Sequence, residues 1–115
     1  MKKDTLFLLP PGFVDNDRRE FCPECAEMWG VLNYYPAIKE SLEICYVGIS
    51  HPRGPIVDVL GDGKWNAPTL VLADPDAVSG DFRAQSKNGM TYLDSARQIA
   101  KYFAAKFGTA VPRGT

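Results

Sequence analysis

Two cysteines, Cys22 and Cys25, enclose a proline and a glutamate in the sequence CPEC. The nucleophile in thiol chemistry is the thiolate, and two cysteines three residues apart can close a disulfide with each other. The spacing therefore favours a dithiol in which Cys22 attacks a disulfide and Cys25 resolves the resulting mixed disulfide. The third cysteine, Cys45, lies alone in an apolar run, and three cysteines are too few for a framework of structural disulfides.

Two other interpretations of the C-x-x-C pair stay open. The pair is also half of a zinc site, whose further ligands would be Cys45 and His51 or residues of a second chain. Alternatively, the pair is unreactive packing in a non-catalytic protein that binds a partner or glutathione. Cys45 falls in a predicted buried strand and His51 in a turn, so neither is well suited to hold a metal.

A predicted helix over residues 21–35 positions the dithiol. Pro23 is tolerated in the first turn of a helix, where its missing N–H costs nothing. Residues that share one apolar face at helical spacing are Cys25, Met28, Trp29, Leu32 and Tyr35. Cys22 then lies at the helix N-terminus, where free backbone N–H groups and a partial positive charge favour a thiolate.

The remaining elements follow from short apolar runs and turn formers. Strands are predicted at 5–9, 42–49, 69–72 and 89–93, a short helix at 55–60 and a long helix at 94–107. Asp94 or Thr91 is expected to cap the long helix and Gly108 to end it. Residues 12–20 and 74–88 are predicted to be mostly polar loop, and the tail 109–115 to be flexible.

This order of elements predicts the fold class. A chain of 115 residues is the size of one domain, so we assign residues 1–115 to one unit. The alternation of strands and helices predicts an α/β protein in which the first helix crosses between parallel strands. Pro68 opens the third strand in the sequence Ala67-Pro68-Thr69, about forty residues after the dithiol.

Together these features resemble the thioredoxin fold, in which a central mixed sheet of about four strands is flanked by helices. The CPEC sequence is similar to the CP-x-C site of glutaredoxins, and LDSARQIAKYFAAKFG resembles the end of the glutathione-transferase N-terminal domain. An uncharacterised bacterial family of the same superfamily is a further candidate. The resemblance implies a nucleophilic Cys22, a resolving Cys25 and a cis peptide bond before Pro68. It also implies that Ala67 pairs with bound peptide backbone.

The same resemblance implies that Asp94 and Ser95 hold the γ-glutamyl end of glutathione, although both residues are also ordinary helix caps. This chain departs from the pattern in the loop before CPEC and in the 74–88 insertion. It also lacks the helical second domain of the transferases, so transferase activity is not expected. The prediction is a glutaredoxin-like thiol–disulfide oxidoreductase that has no resident cofactor and acts on protein disulfides or glutathione.

Charge and hydropathy exclude other classes of function. The formal net charge is −1, which provides no bulk attraction to nucleic acid or to an anionic membrane. No apolar run reaches the roughly 18 residues that span a bilayer. Asp4 and the pair Pro10-Pro11 interrupt the first apolar segment, which does not fit a signal peptide. We therefore expect a cytoplasmic protein without nucleic-acid or membrane partners.

Overall fold

The computed structural model describes residues 2–115, which form a five-stranded mixed sheet flanked by helices and a separate two-stranded hairpin. The strands are β1 (Asp4–Leu8), β2 (Phe13–Asp15), β3 (Arg18–Glu20), β4 (Leu42–Tyr46), β5 (Thr69–Leu72), β6 (Gln85–Lys87) and β7 (Met90–Leu93). The helices are α1 (Pro23–Tyr34), α2 (Pro36–Glu40), α3 (Gly54–Leu60) and α4 (Ala96–Phe107).

The central sheet has the strand order β4-β1-β5-β7-β6. β1 pairs parallel with β4, and α1 and α2 connect the two, so the predicted helical crossing between parallel strands is confirmed. On its other side β1 pairs antiparallel with β5. The last residue of β1, Leu8, lies opposite Tyr46 of β4, and Phe7 lies opposite Thr69 of β5. The carboxyl end of β1 therefore has one neighbouring strand on each side.

Apolar residues of the sheet and helices form one core. β5 is buried along its whole length, as a central strand covered on both faces requires. α4 packs against α1, and its buried face carries Ile99, Tyr102 and Phe103. The helix ends at Gly108, whose φ of 72° is the left-handed conformation that favours glycine. α1 and α4 have 12 residues each, and no helix within residues 2–115 is long and apolar enough to cross a bilayer.

The prediction of about four strands is wrong, because the sheet has five. The segment 74–88, predicted to be mostly loop, ends in β6, which pairs antiparallel with β7. Asn88 and Gly89 connect the two strands with φ values of 54° and 74°. Asn-Gly is a strong signal for a tight hairpin turn, because both residues tolerate positive φ. The Asn88-Gly89 pair is a local signal for this hairpin, and it lies outside the apolar runs that predicted the other strands.

A second hairpin replaces the polar loop predicted at 12–20. β2 and β3 pair antiparallel, and the turn residues Asn16 and Asp17 have φ values of 53° and 58°. Asparagine and aspartate adopt this conformation more readily than other non-glycine residues, so the polar sequence itself permits the turn. The hairpin immediately precedes the residues that lead into α1.

Three element boundaries are also corrected. The first helix begins at Pro23 and not at residue 21, because Cys22 has an extended conformation and is the N-cap. β4 ends at Tyr46 and does not extend to residue 49. α4 begins at Ala96 and not at residue 94, with Ser95 as its N-cap. At each of these boundaries, the predicted element includes a capping or turn residue that lies outside the element in the structure.

Candidate functional site

Cys22 begins α1 as its N-cap, with φ and ψ of −78° and 116°. Its sulfur accepts a hydrogen bond from the backbone N–H of Cys25, with 3.2 Å between nitrogen and sulfur. Pro23 occupies the first helical position, where its ring presets the backbone for a helix. The sulfur of Cys22 thus lies at the partially positive end of α1, where negative charge is stabilised.

Cys25 lies one turn further along α1 and is buried, with 3% of its surface exposed. The backbone N–H of Leu9, at the end of β1, donates to its sulfur over 3.4 Å. Burial raises the pKa of the Cys25 thiol from 9.0 to about 12, and a hydrogen bond with Cys22 adds to the rise. At neutral pH Cys25 is therefore a thiol, and Cys22 is the more exposed sulfur of the pair.

Ala67 and Pro68 lie beside Cys22, although they are more than forty residues away in sequence. The Ala67–Pro68 peptide bond is cis. The carbonyl oxygen of Ala67 is 3.8 Å from the Cys22 sulfur and accepts its S–H hydrogen bond. The structure therefore brings four of the predicted site residues, Cys22, Cys25, Ala67 and Pro68, together at the carboxyl end of β1.

Arg53 fixes the loop that presents Ala67. Its guanidinium donates to the carbonyl oxygens of Trp65 and Ile49 over 3.0 and 3.3 Å. The indole N–H of Trp65 donates to the carbonyl oxygen of Gly61 over 2.7 Å, and its ring packs edge-on against Tyr92. Sequence reasoning missed Arg53, because an arginine in a turn gives no signal of the backbone carbonyls that it will meet.

The start of α4 lies beside the CPEC segment, and Glu24 joins the two. The Glu24 carboxylate accepts a hydrogen bond from the backbone N–H of Ala96 over 3.2 Å. The expectation that Asp94 or Thr91 caps α4 is therefore wrong. Within residues 2–115 the N-cap Ser95 makes no side-chain hydrogen bond to the helix. The carboxylate of Glu24, a residue of α1 that is distant in sequence, thus accepts a hydrogen bond that a side chain next to the helix usually accepts.

Asp94 and Ser95 line a small polar cleft of about 200 Å³ at this helix end. Asp94 accepts a hydrogen bond from the side-chain amide of Gln85 over 3.2 Å, and the Tyr92 hydroxyl donates to Gln85. Glu24 of the CPEC segment contacts this helix end, but neither Cys22 nor Cys25 lines the polar cleft. The backbone N–H that a carboxylate ligand would use at Ala96 already has Glu24 as its acceptor.

A larger cleft of about 340 Å³ opens beside Cys22. The residues that line it are Leu9, Pro10, Pro11, Phe21, Cys22, Cys25, Ala26, Trp29 and Tyr46. They come from the ends of β1 and β4, from α1 and from the segment before α1. Sequence reasoning placed Trp29 in the core and gave no function to the prolines, Phe21 or Tyr46. Their convergence depends on strand register, which a single sequence does not display.

The alternative zinc site receives no support from the positions of its proposed ligands. Among residues 2–115, no group of three or more histidine, cysteine or acidic residues is arranged to hold a metal ion. The Cys45 sulfur donates to the backbone carbonyl of Tyr46, and His51 is exposed in the loop before α3. The three cysteines are free thiols.

The arrangement has the chemical parts of a dithiol site: an accessible sulfur at a helix N-terminus, a buried thiol one turn away and an adjacent backbone carbonyl. Comparison with the curated proteins and with the solved structures gives no match. One protein family matches residues 3–111, which is nearly the whole chain. The chain therefore belongs to that family, whose description is protein of unknown function, DUF3088.

Proposed function

We propose that this protein is a thiol–disulfide oxidoreductase with a thioredoxin-like fold and a glutaredoxin-like dithiol. The observation that carries the proposal is the position of the Cys22 sulfur, 3.2 Å from the Cys25 amide nitrogen at the N-terminus of α1. A backbone N–H aimed at sulfur stabilises the thiolate that attacks a disulfide. The order of strands and helices and the cis bond before Pro68 support the fold part of the proposal.

In the first step the Cys22 thiolate attacks one sulfur of a substrate disulfide. A bond forms between the Cys22 sulfur and that sulfur, the substrate S–S bond breaks, and the second substrate sulfur leaves as a thiolate that takes a proton from water. Cys22 is then part of a mixed disulfide. The Cys25 N–H still donates to the Cys22 sulfur in the thiolate form, whereas the S–H hydrogen bond to the Ala67 carbonyl is lost with the proton.

In the second step the Cys25 thiol loses its proton to water, and its thiolate attacks the Cys22 sulfur. The Cys22–Cys25 bond forms and the remaining substrate sulfur leaves, so the substrate gains two electrons and the protein loses two. Burial is the largest cause of the raised pKa of Cys25 in the reduced protein, and hydrogen bonding and charge at Cys22 add to it. The charge at Cys22 disappears once Cys22 is in a mixed disulfide. The pKa of Cys25 therefore falls from its value in the reduced protein, while burial continues to raise it.

A low-molecular-weight thiol such as glutathione returns the oxidised protein to the dithiol by the reverse exchange. Asp94 and Ser95 stay predictions as contacts for glutathione. Because Glu24 occupies the Ala96 N–H, a glutathione carboxylate would have to displace it or bind elsewhere. The proposal uses glutathione as a reductant, with no tightly held glutathione and no resident cofactor. A cytoplasmic location, where such thiols are abundant, is part of the same proposal.

Turnover with a small neutral disulfide tests the function. The purified protein is assayed with bis(2-hydroxyethyl) disulfide and reduced glutathione, and glutathione disulfide is measured as it forms. We expect catalysis that Cys22→Ser abolishes, whereas Cys25→Ser accumulates a mixed disulfide visible in the intact mass. Turnover by Cys22→Ser at the rate of the unmodified protein would overturn the mechanism. An unreactive Cys22 would favour the alternative of a non-catalytic binding protein.

A further inference from the structure

We propose that the 340 Å³ cleft beside Cys22 binds an aromatic or branched aliphatic side chain that neighbours the reactive cysteine of a polypeptide disulfide. This inference rests on the proposed function and deepens it by naming the substrate class. It concerns the side of Cys22 that faces β4, away from Ala67 and Pro68.

The walls of the cleft are apolar and partly open to solvent. The Phe21 and Tyr46 side chains belong to residues with 61% and 46% of their surface exposed, although both are large and apolar. They line the cleft with Pro10 and Pro11, and the half-buried Trp29 completes the lining from α1. A concave site that is lined by several exposed aromatic side chains is stronger evidence for binding than the same side chains scattered over the surface.

Cys22 lies between two unlike flanks. At the end of β1, Leu8 is opposite Tyr46 of β4, whereas Phe7 is opposite Thr69, the residue after Pro68. The Ala67 carbonyl, a backbone acceptor, therefore lies on one side of the Cys22 sulfur, and the apolar cleft lies on the other. An extended polypeptide that crosses Cys22 would meet a backbone partner on one side and place a side chain in the cleft on the other.

The charges around the site disfavour an anionic occupant. The residues that line the cleft are uncharged apart from Cys22 in its thiolate form. Among the charged groups close by, Arg18 and Glu20 form an ion pair of 2.7 Å, and Lys39 lies over the Trp29 ring at 5.4 Å from its centroid. A carboxylate in this cleft would lose water and lie close to the Cys22 thiolate, which is costly. An apolar side chain loses nothing and buries its surface against the aromatic walls.

The size of the cleft suits one large side chain. Aromatic side chains bury roughly 150–250 Å² each, so partial burial in the cleft corresponds to at least about a tenfold gain in reactivity. The gain is expected in the association of the substrate with the site, since the aromatic walls of the cleft take no part in the thiol–disulfide exchange.

Three matched peptide disulfides test the preference. They carry phenylalanine, glycine or aspartate on both sides of one cysteine, which is joined to 2-mercaptoethanol, and each is reacted with the reduced protein in a single turnover. We expect the phenylalanine peptide to react at least about tenfold faster than the aspartate peptide, with the glycine peptide between them. Equal rates for the three peptides would overturn the inference while leaving the oxidoreductase function intact.

Variants identify the cleft as the source of the preference. Phe21→Ala and Tyr46→Ala should each bring the rate for the phenylalanine peptide towards the rate for the glycine peptide. Tyr34→Ala is the matched control, because Tyr34 is equally aromatic, 77% exposed and outside the cleft. A loss of preference in Tyr34→Ala as large as in Phe21→Ala would contradict the assignment.

Alkylation tests the cleft without any redox step. The reagents are the N-iodoacetyl derivatives of phenylalanine, glycine and aspartate, each with its α-carboxyl group as an amide. The Cys22 sulfur attacks the CH₂ carbon of the iodoacetyl group, and iodide leaves. Each rate is divided by the rate at which the same reagent alkylates a free cysteine peptide, and we expect phenylalanine to react fastest and aspartate slowest. If these preferences appear and no disulfide is reduced, the oxidoreductase function fails but the cleft assignment survives. If the reagents show no preference, the cleft assignment fails.

Discussion

Two helices begin side by side in this protein, and their N-termini are completed differently. α1 begins with the Cys22 sulfur, which accepts the N–H of Cys25 from its own first turn. α4 begins with Ser95, but the acceptor for its Ala96 N–H is the carboxylate of Glu24, a residue of α1. Only Pro23 separates the residue with the sulfur from the residue with the carboxylate in the sequence.

The difference places the sulfur of the proposed redox site and a structural charge in the same small region. Both helix ends carry partial positive charge and favour an anionic acceptor. At α4 a permanent carboxylate supplies that acceptor and connects two helices. At α1 the acceptor is a sulfur, which is a weaker partner but a reactive one. The comparison implies that Glu24 contributes stability and that Cys22 contributes reactivity, and the two can be altered separately.

The largest expected effect concerns Cys25, the buried member of the pair. Because its pKa is raised to about 12, alkylation of Cys25 at pH 8 should be at least about a hundredfold slower than alkylation of a free cysteine. In the Cys22→Ser variant the rate should increase with pH well beyond pH 9. Iodoacetamide labelling followed by peptide mass analysis measures both rates. A Cys25 that reacts as fast as a free thiol would contradict the burial argument.

The same raised pKa links stability to alkaline pH. The folded protein retains the Cys25 proton up to about pH 12, whereas the unfolded chain releases it near pH 9. Below pH 9 the contribution of this group to stability is complete, and it is lost as the pH rises from 9 towards 12. Urea unfolding of the reduced protein between pH 8 and 10.5 should show this loss. Cys25→Ala should show a shallower decline, and an equally steep decline would contradict the assignment.

Glu24→Ala tests the stabilising half of the comparison. Removing the carboxylate leaves the Ala96 N–H without its acceptor, which should lower the free energy of unfolding by about 1 kcal/mol. Glu24→Gln keeps an oxygen acceptor and removes the charge, so its cost should be only a few tenths of a kcal/mol. Urea unfolding at pH 7 measures both. An unchanged free energy of unfolding in Glu24→Ala would show that the contact between Glu24 and α4 does not stabilise the protein.

Cys22→Ser tests the reactive half and has the smallest expected effect on stability. Serine is a better N-cap than cysteine, because its oxygen is the stronger acceptor. The variant should therefore unfold with a free energy equal to that of the unmodified protein or a few tenths of a kcal/mol higher, although its disulfide chemistry is lost. A loss of more than about 1 kcal/mol would show that the Cys22 sulfur is mainly structural.

The sequence predicted those parts of the molecule that depend on local pattern. Apolar spacing identified α1 and α4, and the CPEC motif correctly placed Cys22 at a helix N-terminus. Local signals also exist for both hairpins, in the turn residues Asn16-Asp17 and Asn88-Gly89, although neither pair lies in an apolar run. The predicted parallel crossing between β1 and β4 followed from general rules of chain connection.

The parts that were not predicted depend on contacts between distant segments. Arg53 meets the carbonyl of Trp65, and Glu24 meets the N–H of Ala96, 72 residues away. The apolar cleft requires Tyr46 and Phe21 to converge, which register and packing determine. These contacts cannot be recognised in a single sequence, because the same residue types also occur on protein surfaces where they make no such contacts.

A redox titration tests the central claim most directly. The protein is equilibrated against graded mixtures of reduced and oxidised glutathione, the free thiols are alkylated, and the intact mass is measured. The account predicts the joint loss of two alkylation sites, which peptide mapping assigns to Cys22 and Cys25, while Cys45 stays reduced. If all three cysteines stay reduced at potentials where active-site dithiols oxidise, roughly −270 to −120 mV, the proposed oxidoreductase function is contradicted.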